Sequence, residues 1–596
     1  MKKFLFPALL GLFITNACTK STTTPQGKAD REAFQEILAD YHEERLRFYP
    51  MDATYAGDDR YNDTLVIDIS GTYRDALAAF YTQYLDKLAS IKRAALDEND
   101  QVSFDVLQWE CDINLEGLQF PTHLMPIDQF WSLHLTIGQW ASGISAQPFK
   151  TTKDYDNWLH RLDDFMVWCD TAILNMKRGM ESGYVLPKPL ALKVISQFDA
   201  LDHGPVEEHL YYGPIKVLPV EIPAEDKIRL TSEYQTMIED KIIPKFLALR
   251  NFFQHEYLPA CRESAGIWDI PNGEEYYRYQ VKRFTTTNMT PGEIFELGKS
   301  EVSRLLAEME KVKLEVGFEG DIQSFFEHVR TNSSLMPYQD PSEVIDHFNE
   351  IHERMKPQLS QWFDLVPKTA FEVRRTEAFR EASASAEYQP GSQDGSRAGI
   401  FYVPIPDVTS YNNYADESLF LHEAIPGHHY QISLQQENTN LPEFRKFLWY
   451  SAYGEGWALY SESLGKELGL YKDPYQYFGM LGAEMHRAIR LVVDAGIHAK
   501  KWTREEAIQY SLDNEAESEA SVIAEIERYM AMPGQALSYK VGQLKIRQLR
   551  KKASEQLQER FDVKAFHNNV LAPGCVPLKL LEDKIDAWID EQRTLH

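Results

Sequence analysis

One segment in the second half of the chain combines a helical pattern with an insert that a regular helix does not accommodate. It reads DESLFLHEAIPGHHYQISLQQE over residues 416–437. Pro426 lacks the backbone N–H that a helix interior needs, and Gly427 tolerates backbone conformations that other residues avoid. The sequence therefore predicts a local bulge in a helix between Glu423 and His428.

The residues on either side of this insert resemble the H-E-x-x-H zinc motif with altered spacing. In that motif two histidines four residues apart share a helix face and bind one ion, and the glutamate acts on its water. His422 and His428 lie six residues apart, about 240° around a regular helix, so an unbroken helix would separate them. A bulge that absorbs two residues would bring them together. We therefore predict one zinc ion per chain, bound by His422 and His428, with Glu423 as general base.

A catalytic zinc site also needs a third protein ligand and an open fourth position. Glu455 lies near the start of a helical stretch, SAYGEGWALYSESLGKEL, and 27 residues after His428, which leaves room for one helix to end and the next to return antiparallel. Glu455 is therefore the predicted third ligand, and Glu462, two turns further on the same face, is its rival. The alternative to a metal site is that His428 and His429 are helix-end histidines and Glu423 a solvated residue.

Several sequence blocks together resemble one bacterial family. The blocks that carry the resemblance are HEAIPGHHYQ, EGWALYSE, RLVVDAGIHAKKW and RYMAMPGQALSYKVG, with YQPGSQDGSRAGIFYVPIPD and YPMDATYAGDDRYND upstream. They are similar to the family catalogued as domain of unknown function 885, which is grouped with gluzincin-type zinc peptidases, and they cover nearly all of the mature chain. The resemblance implies a mainly α, two-lobed fold with a deep cleft, zinc at the cleft floor and a short β element before the zinc-binding helix. It also implies that His422, His428 and Glu455 are metal ligands and Glu423 the catalytic carboxylate.

A strand is predicted just before the histidine-rich segment. Residues 400–405 read IFYVPI and follow a Gly-rich turn that contains Arg397. As an edge strand, this segment could pair with an extended peptide, with Tyr402 and Arg397 contacting the substrate and Arg397 meeting a carboxylate. The alternative is an ordinary hairpin strand with a surface arginine.

A stripe of polar residues follows in MHRAIRLVVDAGIHAKKW. His486, Arg490, Asp494 and His498 recur every four residues, so they share one face of an otherwise apolar helix. Such a ladder could orient His498 toward a developing oxyanion, and Arg490 could contact substrate. The alternative is a buried ion-pair ladder that joins two helices.

A second Pro-Gly pair, Pro533-Gly534, interrupts the next helical pattern. Tyr529 and Tyr539 are placed near the break, where a phenol could donate a hydrogen bond to a tetrahedral intermediate. Arg528 and Lys540 are candidates for binding a substrate carboxylate. If that carboxylate is a C-terminus, the enzyme would be a carboxypeptidase rather than an oligopeptidase.

The N-terminus has the pattern of a secretory signal. Residues 1–17 contain a basic start, an apolar run of about a dozen residues and a small residue before Cys18. We predict that Cys18 is lipidated and is the only membrane contact, that residues 18–29 are a flexible tether, and that the protein belongs to the bacterial cell envelope, facing the periplasm or the cell surface. The alternative is cleavage after Ala17, which gives a soluble periplasmic protein.

Apolar spacing near 3.6 predicts a mainly helical chain, including residues 31–48, 72–98, 224–256, 291–316 and 341–355. The predicted lobes are residues 30–365 and a catalytic lobe, residues 366–596, within one intertwined fold.

A net charge of −28 disfavours nucleic acid as a partner. The four remaining cysteines fit neither a zinc finger nor a dense disulfide framework and are predicted to be buried apolar residues, although one or two disulfides remain open.

The predicted function is therefore a zinc metallopeptidase that hydrolyses oligopeptides in the cell envelope. One alternative is a zinc amidohydrolase that acts on cell-wall peptides. Another is a lipid-anchored peptide-binding protein without catalysis. The sequence leaves the substrate and the oligomeric state open.

Overall fold

The computed structural model describes residues 25–143, 145–377, 381, 384–392 and 397–594. The predicted signal peptide, Cys18 and residues 19–24 of the predicted tether lie outside the described residues, and so do residues 393–396 of the Gly-rich turn. Residues 25–29 of the tether form the start of the first helix.

Helices make up most of the described chain, as predicted. In the first part they are α1 Pro25–Phe48, α2 Pro50–Ala56, α3 Gly71–Ala89, α4 Glu98–Leu118, α5 Leu133–Ala141, α6 Thr152–Ser182, α7 Lys188–Asp199, α8 Gly213–Lys216, α9 Ala224–Thr236, α10 Ile243–Phe252, α11 Gly273–Thr285, α12 Pro291–Glu315, α13 Ile322–Thr331 and α14 Pro341–Trp362. After the strands they are α15 Asp416–Glu423, α16 His428–Glu437, α17 Glu443–Lys446, α18 Ser451–Glu462, α19 Pro474–Ala499, α20 Arg504–Leu512, α21 Glu519–Ala531, α22 Ser538–Leu557, α23 Val563–Leu571 and α24 Leu578–Thr594.

Local sequence signals explain where several of these helices begin. Thr290 and Glu293 form a capping box at the start of α12, with Pro291 at its first position. Asp340 and Glu343 form the corresponding box before α14. The segment 72–98, predicted as one helix, instead ends at Ala89 and gives way to a turn before α4.

Three short strands form the described sheet: β1 Phe371–Arg375, β2 Glu387–Gln389 and β3 Gly399–Val403, in the order β1-β3-β2. β3 is parallel to β1 and antiparallel to β2. The predicted short β element before the histidine-rich helix is therefore confirmed. Its predicted edge position is wrong, because neighbours on both sides occupy the hydrogen-bonding groups of β3, which leaves it no free edge for a peptide.

The buried apolar side chains form two clusters. The smaller cluster contains residues between Leu65 and Tyr257, mainly from α5, α6, α7, α9 and α10. The larger cluster joins α1, α3, α4 and α11–α14 to the elements that follow residue 365, as far as Ile589 on α24. Helices on both sides of residue 365 thus share one core, and the division into two lobes at that residue stays a prediction.

A large cavity of about 1330 Å³ lies between these parts of the molecule. Its lining includes Leu46 on α1, Leu135 on α5, Tyr402 on β3, Ile432 on α16 and Trp449 before α18. Among the helices that the structure describes, none is both long enough and apolar enough to cross a bilayer. Cys111, Cys169 and Cys575 are buried, Cys261 is half-buried, and all four are free.

Candidate metal centre

The Pro-Gly insert breaks the helix instead of bulging it. α15 ends at Glu423, and α16 begins at His428. A Cβ atom added to Gly427 would lie 1.9 Å from the carbonyl oxygen of His422, so the turn folds back more tightly than any other residue would permit. The indole N–H of Trp457 donates to the carbonyl oxygen of Pro426 at 2.8 Å and fixes the turn against α18. The predicted bulge is therefore wrong in form.

This break brings three of the predicted ligands together. His422 at the end of α15, His428 at the start of α16 and Glu455 on α18 each offer one ligand atom, all within 4.8 Å of one another. The Nε2 atoms of His422 and His428 lie 3.5 Å and 3.4 Å from the same carboxylate oxygen of Glu455. The two imidazole planes are nearly perpendicular, at 89°.

The spacing of these atoms fits a tetrahedral zinc site. Zinc binds imidazole nitrogen and carboxylate oxygen at about 2.0–2.2 Å, so two donors at a tetrahedral angle are separated by roughly 3.3–3.5 Å. The observed separations of 3.4 and 3.5 Å match this value. Two histidines and one glutamate also leave the fourth position open, as catalytic zinc sites do.

Electrostatics at the site favour ionised Glu455. Burial alone would raise the pKa of this carboxyl, but His428 and His422 hold it well below its usual range. Burial lowers the pKa of His422, but the carboxylates of Glu455 and Glu462 outweigh this effect and raise it to about 9. Glu455 and Glu462 thus place negative charge around His422, which favours a proton or a metal cation at that imidazole.

Glu462, the rival ligand, occupies a different position. Its carboxylate accepts a hydrogen bond from Nδ1 of His422 at 2.7 Å and another from the hydroxyl of Ser418 at 2.7 Å. A carboxylate behind a ligating histidine fixes the tautomer that leaves Nε2 free for metal, and it increases the basicity of the ring. Glu462 therefore supports His422, and Glu455 is the carboxylate beside both Nε2 atoms.

Replacing Glu462 by glutamine should weaken zinc binding by about 10- to 100-fold, because an amide supports the imidazole less strongly than a carboxylate does. The measurement is competition with a chelator of known zinc affinity. Glu467→Gln is the matched control, since Glu467 lies five residues further on and pairs with Arg550. Equal affinities for the Glu462→Gln variant and the wild-type protein would contradict this role.

Glu423 lies at the same cluster. Its carboxylate interacts electrostatically with His422, His428 and Arg487. Partial burial raises the pKa of Glu423, and the nearby histidines lower it less than burial raises it.

Arg487, on α19, was not singled out in the sequence, although it stands beside His486 in the polar stripe. Ser418 was also missed, and its spacing one turn before His422 is the signal that could have found it.

His429 does not join the cluster. Its Nδ1 accepts a hydrogen bond from the hydroxyl of Tyr388 on β2 at 3.0 Å, and its ring packs against Phe371 on β1. Burial lowers its pKa to about 4. His429 therefore joins α16 to the sheet as a neutral histidine.

The predicted role of Lys540 in binding a substrate carboxylate does not fit its surroundings. The ammonium group is fully buried and lies 2.6 Å from Glu484, 3.0 Å from Glu301 and 2.8 Å from the amide oxygen of Gln543. These neighbours already neutralise the charge of Lys540 and accept its hydrogen bonds.

His498 also differs from its predicted catalytic role. Its Nδ1 accepts from the backbone N–H of Ile267, and its Nε2 donates to the carbonyl oxygen of Tyr529, both at 3.0 Å. Burial lowers its pKa to about 3. Both ring nitrogens are therefore occupied by backbone, and these contacts fit the structural alternative of a polar ladder between helices.

The remaining candidates on α19, α21 and α22 form one network. Arg490 donates to the hydroxyl of Tyr529 at 2.9 Å and pairs with Glu525, and Tyr529 also donates to Glu525 at 2.6 Å. Arg528 pairs with Glu525 at 3.1 Å and donates to the hydroxyl of Tyr539 at 3.4 Å. Tyr529 and Arg490 are buried in this network, and Tyr539 is half-buried. Their substrate and oxyanion roles stay predictions.

Arg397 and Tyr402 both line the large cavity. The guanidinium of Arg397 donates to the carbonyl oxygen of Pro390 at 3.2 Å, which holds it near β2. Their predicted contact with substrate stays a prediction that the cavity would allow.

A second group of possible ligands, Asp199, Asp202 and His203, lies at the end of α7 and just after it. Arg250 pairs with both aspartates, at 2.6 Å from Asp202, and so supplies the cation that this acidic group requires.

The fold of this chain resembles those of solved structures from other bacteria. Its fold matches the crystal structure of a "putative lipoprotein" from Colwellia psychrerythraea with a TM-score of 0.86 and 26% identity, over 94% of this chain and 99% of that one. It matches a "putative lipoprotein of unknown function" from Shewanella oneidensis with a TM-score of 0.71 and 18% identity, over 92% and 99%. A "putative oligoendopeptidase F" from Bacillus anthracis aligns with a TM-score of 0.25 and 14% identity, over 87% and 95%.

A search of curated proteins finds no match. The family model described as "Bacterial protein of unknown function (DUF885)" matches residues 50–585, which is most of the chain and includes the candidate metal centre. This protein therefore belongs to the DUF885 family of bacterial proteins.

Proposed function

We propose that this protein is a zinc-dependent peptidase of the bacterial cell envelope that hydrolyses oligopeptides. The observation that carries the proposal is the convergence of His422, His428 and Glu455 at separations suited to one tetrahedral zinc ion, with Glu423 beside them. A two-histidine, one-glutamate set with a neighbouring carboxylate is typical of zinc hydrolases that cleave amides.

A zinc ion held by these residues would supply a Lewis acid and lower the pKa of a coordinated water to about 7. Glu423 would accept the proton and later deliver it to the leaving amine. A carboxylate whose pKa is raised toward the working pH is a better proton acceptor, and partial burial raises that of Glu423. Arg487 would help to keep the carboxylate ionised between these steps.

The cavity supports a peptide as the substrate. Its volume of about 1330 Å³ exceeds the roughly 300–1,000 Å³ typical of small-molecule sites, so it can hold several residues of an extended chain. It reaches Trp449, whose ring lies 5.7 Å from that of His428. Trp449 thus links the cavity to His428, although the three ligands and Glu423 are not themselves among the residues that line the cavity.

The cell-envelope location rests on the N-terminal signal pattern with Cys18. The Colwellia psychrerythraea protein, which is described as a lipoprotein candidate and shares 26% identity, supports the same location. Lipid on Cys18 would hold the protein at a membrane surface through a short tether.

The first test is the zinc content of purified protein, measured by elemental mass spectrometry after mild chelation. We expect about one zinc per wild-type chain and a loss of nearly all of it in Glu455→Ala, because two histidines alone do not hold catalytic zinc tightly. Glu467→Ala is the control and should keep the metal. Metal-free wild-type protein, prepared with ample zinc, would overturn the proposal.

The second test is hydrolysis of a broad peptide library by the zinc-loaded protein. Cleavage that a chelator stops and added zinc restores would support the proposed reaction. Stoichiometric zinc without cleavage of any peptide would reject peptide hydrolysis and leave a metal-binding role.

A further inference from the structure

The large cavity gathers apolar side chains that the fold leaves exposed. Tyr55, Leu210, Phe447 and Trp449 all remain more than two-fifths exposed, and all four line the cavity. Exposed large apolar groups that share one concave surface are typical of a binding site, whereas isolated ones are common on any protein.

Trp449 lines this cavity and also lies beside the candidate metal centre. Its indole ring lies 5.7 Å from the ring of His428, and the residue as a whole is 43% exposed. It packs directly over Gly454, where an added Cβ would lie 2.1 Å from the indole, and Gly454 immediately precedes Glu455. Trp449 therefore borders both the cavity and the segment that carries the predicted metal ligands.

The backbone around Trp449 is fixed on both sides. The carbonyl oxygen of Leu448 accepts from Gln435 on α16 at 2.9 Å. On the other side, the hydroxyl of Tyr450 donates to Glu110 on α4 at 2.8 Å, and its backbone N–H contacts the sulfur of Cys575 at 3.1 Å. A ring on such a rigid segment is a preformed platform, so binding against it costs little ordering entropy.

Charged groups in the cavity lining are partly neutralised by one another. Arg45 pairs with Asp52 at 2.8 Å, and Lys446 pairs with Glu443 at 2.6 Å. The surface that leads to Trp449 includes Phe447, Leu448 and Ile432. This combination favours an uncharged, bulky side chain over a charged one.

We infer that Trp449 determines specificity in the proposed peptidase, and that its ring receives a large apolar or aromatic side chain of an extended peptide beside the scissile bond. The inference rests on the proposed function and names its substrate class: unfolded peptides with a bulky apolar residue at one position. Contact between the indole ring and such a side chain gains dispersion energy and buries apolar surface, and an alanine side chain in the peptide would gain less of both.

The test compares peptides that carry one phenylalanine, moved through successive positions in an otherwise alanine-rich sequence. Wild-type protein should cleave at a fixed distance from the phenylalanine, with kcat/KM about tenfold or more above the all-alanine peptide. In Trp449→Ala this ratio should fall to near one, and Trp449→Phe should restore most of it. Trp131→Ala is the control, because Trp131 is 74% exposed and is not among the residues that line the cavity.

Zinc content is measured on every variant, so that a change in ratio is separated from loss of metal. A Trp449→Ala protein that keeps its zinc and the wild-type ratio would overturn the inference. A wild-type protein that cleaves no peptide would instead reject the proposed hydrolysis.

Peptide binding tests the role of Trp449 independently of hydrolysis. It is measured in a parent variant that carries Glu423→Gln. Binding of the phenylalanine peptide by calorimetry should weaken about tenfold when Trp449→Ala is added, whether or not the wild type hydrolyses it. Unchanged binding, or no binding of any peptide to the parent, would reject the apolar subsite.

Discussion

Replacing Glu423 by glutamine should lower kcat for peptide hydrolysis by about 100- to 10,000-fold and leave the zinc content unchanged. The amide has nearly the shape of the carboxylate but does not accept a proton, and general-base catalysis contributes an effect of this size. Glu423 is not one of the three converging ligands, so metal binding should survive. The measurement is kcat on a cleaved peptide together with elemental analysis of the same sample.

Two controls make this result specific. Glu467→Gln removes a carboxylate from the α18 region, where it pairs with Arg550, and should keep wild-type kcat. Thermal unfolding of the Glu423→Gln variant should show an unchanged or slightly raised Tm, because a partly buried carboxylate is replaced by a neutral group. A kcat within threefold of wild type would exclude Glu423 as the base. A peptide-binding protein without catalysis would instead keep its full affinity in this variant.

The sequence predicted the part of the site whose residues lie close together in the chain. His422, Glu423 and His428 lie within seven positions, and the spacing to Glu455 fits one antiparallel return. The mainly α fold followed from apolar periodicity in the same way, since helix formation depends on neighbours three and four residues apart.

The sequence could not decide whether Glu455 or Glu462 is the third ligand. Both lie on one face of α18, two turns apart, and both reach His422. The difference is which imidazole nitrogen each contacts: Nε2 for Glu455 and Nδ1 for Glu462. That difference depends on how α18 packs against α15, which is a tertiary property.

The less accurate predictions concern residues whose partners are distant in sequence. Lys540 looked available for a substrate carboxylate because Glu301 and Glu484, which bond it, belong to α12 and α19. His498 looked catalytic because the backbone of Ile267, its partner, lies far upstream. β3 looked like an edge strand because the short β2 gave no strand signal strong enough to predict its pairing with β3.

Gly427 should prove as necessary to the metal centre as the ligands themselves. A methyl group in Gly427→Ala would lie 1.9 Å from the carbonyl oxygen of His422 and 2.3 Å from that of Leu421, far inside the contact distance of real atoms. These carbonyls belong to α15 and have little freedom to move. The turn must therefore open, and His428, the next residue, must move away from His422 and Glu455.

We expect Gly427→Ala to lower zinc affinity by more than about 100-fold, because displacing a ligand should cost more than the 10- to 100-fold loss typical of an outer partner. Chelator competition measures the affinity, and circular dichroism with Tm in excess chelator tests whether the metal-free fold persists. Gly482→Ala is the matched control, since a Cβ there meets no atom within 4 Å and α19 should accept it. Wild-type affinity in Gly427→Ala would mean that α16 can shift without moving His428, and that the close turn is not what sets the six-residue spacing of the histidines.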